Sequence, residues 1–254
     1  MNFSNITFGQ YIPRNSIIHK LDPRAKLLGL LILVSAVFTI KNFCAFGISV
    51  LALLCVIRAS KIPAKSIVKS SRPVLFLIIF TFAFNMIALI FRYDFREAFL
   101  QAIFTSSRLL VLMIYAILLP LTTTPLELAD GICALMQPFR KFLPVNDISM
   151  MLGIALRFIP LLMQEADKIM KSQISRGAKL DQGNIFQRAR AFFPVLIPLF
   201  VIIFRRADEV AIAMEVRGYG NAKIRTRRKP LIWKFQDTFA IIICAILAGI
   251  FTLA

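Results

Sequence analysis

Five stretches of this chain, residues 27–40, 43–57, 73–91, 109–126 and 238–254, contain no charged residue, and basic clusters separate most of them. Water-soluble domains are typically about 45–50% apolar. Here 58% of the 254 residues are hydrophobic and the mean hydropathy is +0.75. That combination excludes a soluble fold and excludes disorder. It predicts an all-α polytopic membrane protein. Several runs fall short of the roughly 20 residues a spanning helix needs. Flanking cations such as Lys26, Lys41 and Arg58 can snorkel and extend them by a turn.

The charges set orientation. Lys and Arg number 31 against 13 Asp and Glu, a net +18. Arg14, Lys20, Arg24 and Lys26 precede the first run, and only Lys41 follows it. Arg58, Lys61, Lys65, Lys69 and Arg72 lie between runs two and three, and the next loop offsets Arg92 and Arg96 with Asp94 and Glu97. Because cytoplasmic loops carry the basic excess, four spans with the N-terminus inside fit this alternation. Residues 127–237 then carry 18 of the 31 basic residues and are expected in the cytoplasm.

Two stretches there, 148–163 and 191–204, are apolar but interrupted by Arg157 and Pro160, and by Pro194 and Pro198. Were both to span, Lys168, Lys171, Arg176, Lys179, Arg188 and Arg190 would be exported in one short loop. Both are therefore expected on helices lying on or dipping into the cytoplasmic face. The division is residues 1–126 as the N-terminal segment and four membrane helices, 127–237 as a cytoplasmic domain, and 238–254 as a fifth span. The location is a cell membrane, crossed about five times.

Several chemistries lack their residues. His19 is the single histidine, and Cys44, Cys55, Cys133 and Cys244 form no C-x-x-C pair, so no metal or redox site is expected. No P-loop sequence occurs, and no residue grouping points to a catalytic centre or a cofactor. No carboxylate lies within a span, against a proton relay. Asn85 is the polar residue of the third span and is expected to bond between helices. The cluster Lys223, Arg225, Arg227, Arg228 and Lys229 before Trp233 reads as an anchor for anionic membrane lipid rather than for nucleic acid.

The cytoplasmic part holds a repeat offset by 41 residues. Glu165-Ala166-Asp167 leads through eight residues to Arg176-Gly177, and Arg206-Ala207-Asp208 leads through eight to Arg217-Gly218. Helices of about 149–176 and 187–217 are expected, each stopped by its glycine. At 1.5 Å per residue each is roughly 40 Å long. A cation in a last turn complements the helix dipole for about 0.3–1 kcal/mol. Two copies at one spacing instead suggest two equivalent plugs for a paired ATPase, arginine being suited to multidentate recognition.

Motifs along most of the chain resemble a known family. They are Tyr11-Ile12-Pro13 with Asn15-Ser16, His19 and Leu21-Asp22-Pro23-Arg24-x-Lys26; Leu121-Thr122-Thr123-Thr124-Pro125 with Leu128-Ala129-Asp130; Leu156-Arg157-Phe158-Ile159-Pro160; Ser175-Arg176-Gly177; and Ala213-Met214-Glu215-Val216-Arg217-Gly218-Tyr219. Together they resemble the transmembrane coupling (T) component of bacterial energy-coupling factor (ECF) transporters, importers of vitamins and metals. The resemblance implies a non-catalytic scaffold with a coupling domain of long crossed helices. It implies two partner ATPase subunits, docked by Ser175, Arg176, Gly177 and by Val216, Arg217, Gly218, and a separate substrate-binding (S) component. Both motifs depart from the family's usual alanine at the first position and keep the arginine. The details resemble the branch in which one module serves several S components. The alternatives are a dedicated single-substrate ECF importer and a classical ABC permease.

Overall fold

The computed structural model describes residues 11–40, 42–91, 94–178, 184–219 and 231–253. They form α1 (Ile17–Lys20), α2 (Pro23–Thr39), α3 (Phe43–Ser60), α4 (Ala64–Ile90), α5 (Phe95–Thr122), α6 (Pro125–Leu135), α7 (Val145–Ser175), α8 (Ile185–Val216) and α9 (Phe235–Leu253). A short 3-10 turn, Gln137–Lys141, follows α6. No strand occurs among the described residues. The described chain divides into two compact units, residues 11–143 with 231–253 and residues 144–219.

In the larger unit, α2 packs on α9, α5 and α6, while α3 packs on α5 and α9. Its core joins Leu33, Val37 and Ile40 of α2, Leu53 of α3, Val111, Tyr115 and Leu121 of α5, and Phe251 of α9. The Tyr115 hydroxyl donates to the Ser49 carbonyl at 3.3 Å. Without a hydrophobic drive between helices in lipid, close approach relies on small side chains. Ala98, Ala102 and Ser106 are accordingly buried at every fourth position of α5. Gly29 lets α9 approach α2, since a Cβ there would stand 3.3 Å from the Cys244 sulfur. Helix α4 packs against α5 and leaves Phe76, Ile79, Phe80 and Ile87 outside. An outward apolar surface of this kind is what acyl chains cover.

Helices α3, α4, α5, α7 and α9 have the length and apolarity to cross a bilayer. Runs two to five of the sequence fall in α3, α4, α5 and α9. The first run forms α2, whose 17 residues measure about 25 Å. Helix α7, expected from its charge context at the cytoplasmic face, also has spanning length and composition. Asn85 differs from expectation: its amide donates to the Thr81 carbonyl of its own helix at 2.9 Å. A carbonyl one turn back in the same helix is always within reach of such a donor, whereas a partner on another helix must be supplied. The cluster Lys223–Lys229 lies outside the described residues.

In the smaller unit, α7 and α8 begin and end within four residues of the expected bounds. They meet through Ile169 and Met170 of α7 and Ala191, Phe192 and Val195 of α8. The Tyr219 hydroxyl donates to Asp147 Oδ1 at 3.3 Å, bringing the end of α8 back to the first turn of α7. The helices therefore run antiparallel. Pro160, Pro194 and Pro198 lie inside them, each removing a helical hydrogen bond.

Candidate functional site

The two Arg-Gly sequences end α7 and α8 in the same way. Arg176 and Arg217 are the C-caps, with φ, ψ of −86°, 7° and −83°, 8°. The next residues, Gly177 and Gly218, adopt φ of +88° and +71°, the left-handed region that glycine enters at no steric cost. Gly177 N–H then donates to Ile174 O at 2.9 Å and Ala178 N–H to Gln173 O at 3.0 Å. In the second copy, Gly218 N–H donates to Glu215 O at 2.8 Å and Tyr219 N–H to Met214 O at 2.9 Å. This paired closure is the Schellman motif, which satisfies carbonyls a helix end otherwise leaves open. Nothing lies within 4 Å of a Cβ built on either glycine, so conformation alone demands glycine. Gly177→Ala or Gly218→Ala should each cost about 1–2 kcal/mol, and Asn at either position much less. Thermal unfolding of the purified variants in detergent checks this order.

Both arginines and both glycines are exposed. The first positions differ. Ser175 turns its hydroxyl onto the Lys171 carbonyl at 3.0 Å, whereas Val216 is a bare apolar surface, 82% exposed. The aspartates of the repeat also differ, Asp167 being buried and Asp208 exposed. The structural equivalence is thus confined to the helix ends. Because α7 and α8 are antiparallel, Arg176 and Arg217 sit at different ends of the pair. A 31-residue helix spans about 46 Å.

The N-terminal motifs, which as a sequence offered no chemical grouping, assemble into a clasp in the larger unit. Ile12 N–H donates to Leu121 O at 3.1 Å. His19 lies between Ile12 O, 3.0 Å from Nε2, and Ser16 Oγ, 2.6 Å from Nδ1. Burial lowers the His19 pKa, so a neutral ring that donates from Nε2 to the carbonyl and accepts from Ser16 fits both contacts. Lys26 Nζ donates to His19 O, Thr122 O and Thr123 Oγ1 at 3.3, 3.1 and 3.1 Å, which uses all three of its protons. Asp22 caps α2 by accepting from Arg24 N–H at 2.9 Å, with Pro23 at the first helical position. Thr124 and Glu127 form a reciprocal capping box at the start of α6.

Asp237, which sequence reading left aside, completes the clasp. It is 1% exposed and accepts from Asp22 N–H at 2.8 Å and Lys234 N–H at 2.7 Å. Its one visible signal was its place as the last charge before the final apolar run. Gly131 of α6 fits against Pro23, where a Cβ would come within 2.9 Å of the proline ring. Among the described residues no group of His, Cys, Asp or Glu could hold a metal ion.

Lys26 stands one residue ahead of the first apolar run. Burial pushes its ammonium down from 10.5 to about 8, opposed by the charges of Glu127, Asp22 and Asp237. The unfolded chain keeps the proton up to 10.5, so between pH 8 and 10.5 it binds more protons than the folded chain, and stability rises with pH. From pH 7 to 9 the parent should gain about 1 kcal/mol over Lys26→Met, allowing for partial solvation. Parallel melting curves for the two proteins across that range would refute the assignment.

Comparison with known proteins bears on both features. The family described as CbiQ, cobalt transport protein, matches residues 14–228. The energy-coupling factor transporter transmembrane protein EcfT of Bacillus subtilis is 37% identical over 256 residues, covering 97% of each chain. The chain belongs to this family, the transmembrane components of ECF transporters. The EcfT proteins of Clostridium kluyveri, 43% identical over 95% of this chain and 93% of the relative, and of Thermanaerovibrio acidaminovorans, 42% identical over 93% and 91%, are similar to it in the same way. An ECF transmembrane component is a multi-pass protein of the bacterial plasma membrane and a transport component. Both Arg-Gly ends lie within the matched 14–228 span.

Proposed function

We propose that this ECF transmembrane component couples two ATPase subunits to a substrate-binding S component, with residues 127–237 acting as a cytoplasmic coupling domain. Ser175, Arg176, Gly177 and Val216, Arg217, Gly218 are the ATPase-docking motifs in this reading. The observation that carries it is the duplicated helix end: two exposed arginines, each fixed on a hydrogen-bonded Schellman closure, at different ends of one helix pair. A cation on a closed helix end transmits displacement of its socket to the whole helix. A flexible loop would absorb it. Two separated ends suit two sockets. The chain itself does not hydrolyse ATP in this scheme, and the vitamin or metal is bound by the S component.

The similar chains that match nearly end to end carry a general transporter name without a cargo. That favours a module shared among several S components over a dedicated one. The test is purification of the chain from its native membrane with identification of the co-purifying chains. Two ATPase subunits and more than one kind of small S component are expected. Recovery of the chain alone under conditions that keep other membrane complexes whole would refute the proposal.

A further inference from the structure

The turn between α3 and α4 is built around an unusual residue. Lys61 has φ 55° and ψ 23°, the one non-glycine residue with positive φ among the described residues. Glycine takes that conformation freely and other L-residues rarely do. Buried Ser60 and Ile62 flank Lys61 and fix the turn, with Ile62 N–H donating to Ser60 Oγ at 3.4 Å. A lysine held where glycine is easier directs attention to its charge.

That charge has company. Arg58, Lys61, Lys65, Lys69 and Arg72 are all exposed. No carboxylate occurs anywhere between Asp22 and Asp94. Of the acids in the same unit, Asp22, Glu127 and Asp237 are engaged by backbone N–H groups. On α4, residues 65, 69 and 72 fall on one face, since positions three and four apart are neighbours on a helix. The same face continues into Phe76, Ile79, Phe80 and Ile87, which are 76, 66, 58 and 62% exposed. One helix face thus offers cations for about two turns and then an uncovered aromatic and aliphatic surface.

We propose that the α3–α4 hairpin is a binding site for an anionic phospholipid, its phosphate held by Lys61, Lys65, Lys69 and Arg72 and its acyl chains lying along Phe76, Ile79 and Phe80. The continuity of cations into an acyl-facing surface on one helix selects a lipid over an acidic protein, which would match the cations but leave the apolar half uncovered. Cations at a membrane surface each contribute roughly a fivefold gain for anionic lipid.

The site is read by tryptophan quenching. Trp233 is the single tryptophan, so Trp233→Phe with Phe76→Trp places one fluorophore a turn beyond Arg72. The full chain is reconstituted in phosphatidylcholine vesicles with brominated phosphatidylglycerol or brominated phosphatidylcholine as quencher. A preference of about fivefold or more for the brominated phosphatidylglycerol is expected, weakening in high salt. It should fall to unity in Lys61→Gln/Lys65→Gln/Lys69→Gln/Arg72→Gln. Lys61→Gly, which suits the backbone, should fold at least as well as the parent and still lose part of the preference. Equal quenching by both lipids overturns the proposal, as does a preference that survives the fourfold variant. Equal quenching together with loss of co-purifying chains in that variant would mark the patch as a protein-docking surface instead.

Discussion

Membranes carrying Arg176→Glu together with Arg217→Glu are expected to contain the inserted chain but to lose ATPase association and ATP-driven uptake. Each arginine caps its helix and is exposed, so its side chain is not needed to build the chain that presents it. Removing one partner of a hydrogen-bonded charge pair from an interface costs about 2–5 kcal/mol, and 1.4 kcal/mol is a factor of about ten. Single Arg→Ala variants should therefore dock more weakly by roughly thirtyfold or more, with the second end holding the complex together. Arg→Glu adds repulsion wherever the socket is acidic. If the arginines merely complemented the helix dipoles, the double variant would lose about 0.3–1 kcal/mol per helix and keep its coupling. ATPase co-purification and uptake by reconstituted vesicles decide between the two. Near-normal uptake by the double variant refutes the docking role.

Asp237→Ala is expected to cause the largest loss of stability of any single change in the clasp. Both carboxylate oxygens are used, one by the N–H of Asp22 and one by the N–H of Lys234, and the side chain is 1% exposed. A hydrogen bond to a charged group contributes about 1.5–3 kcal/mol, and a buried donor left open costs about 1–3 kcal/mol. A loss of about 3 kcal/mol or more follows, a large part of the 5–15 kcal/mol typical of folded proteins. Asp237→Asn should lose less, because its single oxygen can serve one of the two N–H groups. Thr238→Val removes only the exposed hydrogen bond from Trp233 Nε1 and should change little. The melting temperature in detergent, with the monodisperse fraction after purification, measures all three. An Asp237→Ala protein as stable as Thr238→Val would refute the assignment.

Helices α3, α4, α5 and α9 were legible because a long uncharged run admits few alternatives. The spanning length and composition of α7 were masked by Arg157 and Pro160 within its apolar stretch. The stops of α7 and α8 were legible because glycine after a helical pattern has one common geometry, and both copies adopt it. The antiparallel return that separates Arg176 from Arg217 was not, since it rests on Tyr219 meeting Asp147 across 72 residues. The clasp was hidden for the same reason. Lys26 finds its acceptors at Thr122 and Thr123, and Asp22 finds Asp237, through pairings that no local periodicity encodes. Spacing along the chain also said nothing of Cys133, which is buried, while Cys44 is exposed. Thiol labelling at Cys133 therefore reports packing, and sidedness is better read from Cys44 and a cysteine introduced at exposed Phe139.

The pairing of α2 with α9 has a consequence for biogenesis. Helix α2 packs against α9, and the bond from Asp22 to Asp237 closes a separation of 215 residues. At about 5–20 residues per second, translation leaves α2 without that neighbour for roughly 10–40 s. During that interval the face of α2 that α9 covers lacks its partner. Arrival of α9 closes the seam, so the core around α2 is complete only once residues 215 positions apart have both been made.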